Sequence, residues 1–242
     1  MNLSVLQNFQ PSDFYEYPFP YIHIRNALPN DLYRQLAEEY PERALDKSQS
    51  YSDFRYYQSN FTPDLITPLW QKFIDFHTSK DYKDQLIKIL DPGMRQYYPE
   101  ITDKYLNSDV CLRHESQPNA LKLEIQFVMN SPDAKKIRTP HIDQARELFA
   151  CLFYMRKEED KSNGGDLILY EKSSENFEFL NKRKAPTDKI KQAAIVKYEP
   201  NTLVAFLNTK NSIHGVTSRV NASDIRRYVN IDGHVDEKLF EL

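Results

Sequence analysis

The sequence predicts an α+β fold, a mainly helical first half followed by a β-rich second half, and three observations predict it. Between residues 29 and 90 apolar side chains recur at helical spacing. Beyond about residue 110 they alternate with polar ones or form short continuous apolar runs, the patterns of half-buried and fully buried strands. Hydrophobic content of 40%, 13% aromatic residues and only five glycines belong to an ordered globular chain, not a disordered or fibrous one. At 242 residues the chain can bury roughly 70% or more of the surface that its unfolded form exposes.

The first element is Tyr21-Ile22-His23-Ile24-Arg25, a short strand entered through Pro18-Phe19-Pro20. Pro29 then opens a helix, since its fixed φ suits a first turn. Leu32, Leu36 and Tyr40 mark the apolar face until Pro41 ends it. Residues 44 to 60 are polar and Tyr-rich without a clear period and read as a loop. Tyr51, Phe54, Tyr56, Tyr57 and Phe61 are expected in core or lid packing there. A second helical region opens near Thr62-Pro63, with Leu65, Leu69, Phe73 and Phe76 as its stripe and Trp70 alongside. Residues 81 to 90 suggest a further helical turn or two, broken by Asp91-Pro92-Gly93.

Strands follow. Leu121 to Met129 alternates apolar with mostly polar residues, and Phe149 to Met155 is continuously apolar. Gly164-Gly165 is a turn feeding a strand to Tyr170, Asn201 to Leu207 is another strand, and Tyr228-Val229-Asn230-Ile231 is the last. The Lys- and Glu-rich residues 171 to 192 read as a surface excursion. Residues 1–110 are thus a mainly helical support region and 111–242 a β barrel or sandwich that carries the chemistry. Together they form one integrated domain.

A net charge of −3, from 32 basic and 35 acidic residues, gives no electrostatic argument for nucleic acid or an anionic membrane as partner. The N-terminal residues lack the basic and apolar regions of a signal peptide. No stretch approaches the roughly 18 apolar residues of a membrane span. Cys111 and Cys151 are expected as buried structural thiols, too few for a disulfide framework or a zinc site. A cytoplasmic location is expected from these features.

The chemistry is expected at His141-Ile142-Asp143 and at His214, within Asn211-Ser212-Ile213-His214-Gly215-Val216. Two imidazoles and one carboxylate can occupy one face of an octahedral ferrous ion and leave three positions open for a co-substrate and O₂. Residues i and i+2 of a strand point to one face, so His141 and Asp143 can bite one ion together. Arg226-Arg227, a basic pair at the head of an apolar run, offers a cation for the far carboxylate of 2-oxoglutarate. The other histidines have nothing at ligand spacing around them. His23 and His114 lie on strand-like segments, His77 near a helix end, and His234 in a loop.

From Leu121 to Ile231 the order of a strand, His-x-Asp, Gly-Gly-Asp-Leu before a strand, Asn-Ser-x-His-Gly-Val and then Arg resembles the Fe(II)/2-oxoglutarate-dependent dioxygenase superfamily. The likeness in style is to its prolyl-hydroxylase-like branch. The resemblance implies a double-stranded β-helix (jelly-roll) core with N-terminal helices packed on one sheet. It assigns the metal to His141, Asp143 and His214, and the C5 carboxylate of 2-oxoglutarate to Arg227, preferred to Arg226. Alternation lets only one of the two point inward. It also gives Tyr154 a hydroxyl contact to 2-oxoglutarate, set against a purely packed role, and Asn211 an orienting or turn-forming one. The implied activity uses Fe(II), 2-oxoglutarate and O₂ to hydroxylate an unactivated C–H bond of a small-molecule or peptidyl substrate, releasing succinate and CO₂. A catalytically silent or non-oxygenase protein of the same fold is the alternative. The intact His141, Asp143 and His214 argue against it.

Overall fold

The computed structural model describes residues 2–45, 53–132 and 138–241. The chain begins with β1 (Phe14–Tyr15), β2 (Tyr21–Arg25), α1 (Asn30–Glu38) and β3 (Asp53–Tyr57). Three helices follow: α2 (Pro68–His77), α3 (Lys80–Tyr97) and α4 (Pro99–Leu106). Then come β4 (Val110–Leu112), β5 (Leu121–Asn130), β6 (Arg138–His141), β7 (Glu147–Tyr154), β8 (Leu167–Lys172) and β9 (Ile190–Val196). The chain finishes with β10 (Thr202–Leu207), β11 (His214–Val216) and β12 (Arg226–His234).

These strands form two sheets. The larger runs β1-β2-β10-β7-β12-β5-β3, with β4 added in parallel on β5, and the smaller runs β6-β11-β8-β9. Period-two alternation gives the larger sheet two working faces. Ile125, Phe127, Phe153, Val229 and Ile231 point one way, into the helices, where they meet Leu36, Trp70, Phe73, Leu86 and Leu90. Val128, Leu152, Tyr154, Phe206 and Tyr228 point the other way and meet Leu167, Leu169 and Val196 of the smaller sheet. The result is the expected jelly-roll core braced by helices on one sheet, with a second, narrower interior between the sheets. Strands β1, β2 and β3 come from the first 110 residues, so that region contributes sheet as well as helix.

Four elements differ from the sequence reading. Residues 53–57 are a strand, because the Tyr- and Phe-rich segment pairs with β5 from Asp53↔Asn130 to Tyr57↔Gln126. Tyr51 lies outside the described residues. Residues 190–196 form β9 against β8, part of what read as a surface excursion. Helix α3 continues through Pro92, because Leu86, Ile87, Leu90 and Met94 are all fully buried and outweigh one lost backbone bond. Gly93 serves close packing there: a Cβ would lie 2.6 Å from the Pro20 Cβ. His234, read as a loop residue, ends β12 and is buried.

The N-terminal segment is tied down by His77 at the end of α2. Its Nδ1–H donates to the Phe73 carbonyl at 2.8 Å, and its Nε2 accepts the Val5 N–H at 3.2 Å. Burial pushes the imidazole down from its ordinary 6.5 to about 3. The folded state therefore holds it neutral while the unfolded chain protonates below pH 6.5. Its share of stability is whole above 6.5 and is lost as pH falls towards 3, by about 1.4 kcal/mol per unit. Urea unfolding at pH 6.5 and pH 5 is expected to show a loss larger by about 2 kcal/mol in the wild type than in His77→Gln. Equal losses would mean that His77 does not stay neutral in the fold.

Candidate active site

His141 is the last residue of β6 and His214 the first of β11, and the antiparallel register sets them directly opposite. Their ring centroids are 4.4 Å apart. Asp143 follows two residues beyond His141, after Ile142 donates its N–H to the Arg183 carbonyl at 3.1 Å. Its carboxylate reaches both rings: Oδ1 is 3.6 Å from His141 Nε2, and Oδ2 is 3.5 Å from His214 Nε2. One donor atom from each residue lies within 4.8 Å of the other two. The three side chains are only 12%, 8% and 5% exposed for His141, Asp143 and His214.

The backbone fixes which nitrogen faces this centre. His141 Nδ1 lies 2.8 Å from the Thr139 carbonyl and His214 Nδ1 2.9 Å from the Ser212 carbonyl. A carbonyl only accepts, so each Nδ1 carries the proton and each Nε2 keeps its lone pair. His141 Nε2 is buried and has no hydrogen-bond partner. Burial pushes His214 down to about 4, which keeps it neutral at pH 7. Burial opposes the charge on Asp143, but His214, His141 and Arg138 outweigh it and hold the carboxyl below the usual range. Two imidazoles and one carboxylate thus converge, a donor set that a divalent metal of the first transition row accepts. Asn211 stands apart: its Oδ1 accepts from Lys172 and its N–H bonds to Thr209 Oγ1, so it shapes the turn before His214.

The basic pair divides across the sheet, and Arg226, not the expected Arg227, faces the space between the sheets. Arg226 is fully buried, with its guanidinium 5.2, 4.8 and 4.7 Å from the ring centroids of Tyr154, Tyr198 and Tyr228. Nε donates to the Gly165 carbonyl at 2.9 Å and Nη1 to Asn130 Oδ1 at 3.2 Å. Nη2 has no partner, and neither has the buried Tyr154 hydroxyl. Arg227 points to the helix side, where Nε donates to the Met155 carbonyl at 2.6 Å and Nη1 to Glu42 Oε1 at 2.5 Å. Strand parity decides this. Arg227 shares its face with Val229 and Ile231, which pack on the helices, whereas Arg226 shares its face with Tyr228, Asn230 and Asp232. That polar series was visible in the sequence and is the signal that selects Arg226.

Residues 127–231 match the family model described as 2OG-Fe(II) oxygenase superfamily. This segment of the chain is an oxygenase domain of that superfamily. It is an Fe(II)- and 2-oxoglutarate-dependent dioxygenase, using O₂ as oxidant. No curated protein matches the sequence. Among solved structures it is similar to a Pseudomonas putida prolyl-4-hydroxylase, at 16% identity over 90% of this chain and 93% of that one, with a TM-score of 0.49. A prolyl hydroxylase from Trichoplax adhaerens, in complex with a hypoxia inducible factor peptide fragment, is 12% identical over 88% and 83%, with a TM-score of 0.47. HygX from Streptomyces hygroscopicus, with nickel and 2-oxoglutarate bound, is 12% identical over 89% and 82%, with a TM-score of 0.46.

A cleft of about 440 Å³ opens onto Asp143 of this oxygenase. Its wall is polar throughout, with Arg55, Arg113, Arg138, Glu124, Glu147 and Asp232 among the lining residues. Scattered over β3, β5, β6, β7, β12 and the turn after β4, these residues form no local motif and were not singled out from sequence. A larger cleft of about 590 Å³ lies on the helix side beside Glu42, Lys157 and Arg227 and shares no residue with the triad. Ligand chemistry belongs at the smaller one, because the converging donors are there.

Gly165 lets Arg226 take its place. Its φ of +77° is in the left-handed region, and a Cβ would sit 3.2 Å from Arg226 Cδ. Gly165→Ala is expected to lower stability by about 1–2 kcal/mol, read as a fall in the urea midpoint. An unchanged midpoint would show that the turn has another conformation open to it.

Proposed function

We propose that His141, Asp143 and His214 hold the ferrous ion, that Arg226 and Tyr154 hold the C5 carboxylate of 2-oxoglutarate, and that the enzyme hydroxylates an unactivated C–H bond of a small-molecule or peptidyl substrate. The observation that carries this reading is the pair of Nε2 lone pairs and one carboxylate converging on the same interior as the unpartnered Arg226 and Tyr154 groups. When bound, iron and 2-oxoglutarate supply the oxidising chemistry, with O₂ consumed and succinate and CO₂ released.

The chain's own part is binding, orientation and exclusion of water. Thr139 and Ser212 keep both imidazoles in the metal-binding tautomer. Asp143 brings one negative charge against the metal's two. Arg226 Nη2–H and the Tyr154 hydroxyl are donors with no protein acceptor, so a carboxylate completes both. The three tyrosine rings around the guanidinium keep water away and strengthen that ion pair. None of the described helices is long and apolar enough to cross a membrane. Cys111 and Cys151, both buried and unpaired, suit a reducing cytoplasm.

An anaerobic titration of apo-protein with Fe(II) and 2-oxoglutarate is expected to raise the weak visible charge-transfer band of the chelate. The band should vanish in His141→Ala and in His214→Ala, with the far-ultraviolet circular dichroism unchanged. A folded wild type that binds iron without the band would sink the 2-oxoglutarate assignment. The two arginines give a second test. Arg226→Gln is expected to raise the KM for 2-oxoglutarate by about tenfold or more, the worth of a charge-assisted pair. Arg227→Ala is expected to leave that KM within about twofold and to cost roughly 1–3 kcal/mol of stability through the lost bonds to the buried Met155 carbonyl and to Glu42, which keeps Lys157. The reverse pattern would return the anchor to Arg227.

A further inference from the structure

Beside the triad lies a second set of converging acceptors. One donor atom from each of Glu124, Asp232 and His234 lies within 4.8 Å of the other two, and all three residues are buried. Glu124 and Asp232 line the cleft that reaches Asp143. They face each other across β5 and β12 in direct register.

Half of this set is already satisfied. Glu124 Oε2 accepts from Arg113 Nη1 at 2.6 Å and from Gln126 Nε2 at 2.8 Å. Asp232 Oδ2 accepts from Asn230 at 2.7 Å and from Gln126 at 3.1 Å. Gln126 is fixed in this orientation because its Oε1 accepts from Arg55 at 2.8 Å. The other half is not. Asp232 Oδ1 and His234 Nε2 are buried without a partner, on side chains 3% and 6% exposed. A buried acceptor left bare costs free energy, and a buried carboxylate costs more. What is missing from this corner of the cleft is a donor.

The charges say what kind. Arg113 neutralises Glu124, and Arg55 pairs with Asp53 at 3.4 Å. Asp232 has no cation of its own, and neither has Glu147 on the cleft wall among the described residues. One monovalent cation answers Asp232. A divalent ion is opposed by the Arg113 guanidinium bonded to one of its would-be ligands. A primary ammonium brings one charge and three N–H donors, matching three acceptors.

We propose that the substrate of this oxygenase carries a primary ammonium group, seated between Glu124, Asp232 and His234. The substrate class is thus an aliphatic amine or an amino-acid-like molecule or side chain. Seated there, the carbon chain leaves the acceptors along the cleft towards Asp143, where hydroxylation takes place. The inference rests on the oxygenase reading of the neighbouring triad.

The test is calorimetric titration, without O₂, of the protein loaded with Fe(II) and 2-oxoglutarate. The probes are butylammonium, 1-butanol and butyrate, at constant ionic strength. Butylammonium is expected to bind at least about tenfold more tightly than either of the others, and Asp232→Asn to remove that preference. Glu124→Gln serves the same purpose if Asp232→Asn does not fold. Butylammonium binding no better than 1-butanol would overturn the proposal. So would uptake of a second equivalent of Mn(II) that Asp232→Asn abolishes, which would make the cluster a metal site. The charge-transfer band, read on the same samples, separates the two ideas. If the band is present without ammonium preference, the substrate class fails and the oxygenase reading stands. If the band is absent, that reading fails, and an ammonium preference would still mark a cation site.

Discussion

The antiparallel pairing of β6 with β11 is the constraint on which the rest of the site depends. It sets His141 opposite His214 without any contribution from a long-range loop. Each ring is then turned by a carbonyl two residues earlier in the chain, Thr139 within β6 and Ser212 in the turn before β11, so the tautomer follows from local backbone and not from side-chain neighbours. Even the carbonyl on the β11 side is held in place. Ser212 Oγ donates to the Leu207 carbonyl and accepts the Thr209 N–H, fastening the turn between β10 and β11. Imidazoles held this way are as rigid as the sheet that carries them.

Strand β12 distributes the remaining functions along one face. Arg226, Tyr228, Asn230, Asp232 and His234 alternate inward, and the six residue steps from Arg226 to Asp232 span about 20 Å. The proposed co-substrate anchor therefore lies at one end and the proposed ammonium seat at the other, with His141 and His214 reached from the opposing sheet. The outward series does different work. Val229 and Ile231 pack into the helices, and Arg227 closes an ion pair with Glu42 over the Tyr40 ring. Two adjacent arginines thus have different surroundings, one with a buried Nη2 that no group of the protein meets and the other bonded to Met155 and Glu42.

Much of this was legible in the sequence, for reasons that differ between elements. The convergence of His141, Asp143 and His214 was legible because two of them sit within one tripeptide and the third in a distinctive turn, in an order of motifs that resembles the superfamily. Tyr154 came forward through the resemblance, against an equally weighted packed role, and its buried hydroxyl has no partner in the fold. Arg227 was preferred on its immediate neighbours, although parity with Val229 and Ile231 already assigned it to the helix side. Strand β3 does alternate, with Phe54 and Tyr56 packed towards the helices and Asp53 and Arg55 on the polar cleft, but five residues inside a Tyr-rich polar stretch are too short a run to stand out. Helix α3 was cut short because Pro92 and Gly93 are breakers in isolation, yet here buried Leu90 and Met94 bracket them. The cleft wall was beyond reach: Arg55, Arg113, Glu124 and Asp232 meet only through sheet register, which no local pattern encodes.

The cleft shows where this fold gives up stability for chemistry. Asp143, Asp232 and Glu147 crowd one polar space. Burial first, and Asp143 next, raise Asp232 to about 7 and drive Glu147 well above the carboxylate range. Such a group of acids destabilises an unliganded protein. The compensation comes from across the larger sheet, where Trp70 and Phe73 are wholly buried against Phe127 and Phe153. Burial of each large apolar side chain contributes roughly 1.5–3 kcal/mol, enough for a handful of them to offset one strained carboxylate cluster. The two faces of the sheet are therefore complementary. The helix-backed face supplies a surplus with no chemical role, and that surplus lets the other face hold lone pairs, charges and an unpaired guanidinium in position before any ligand arrives.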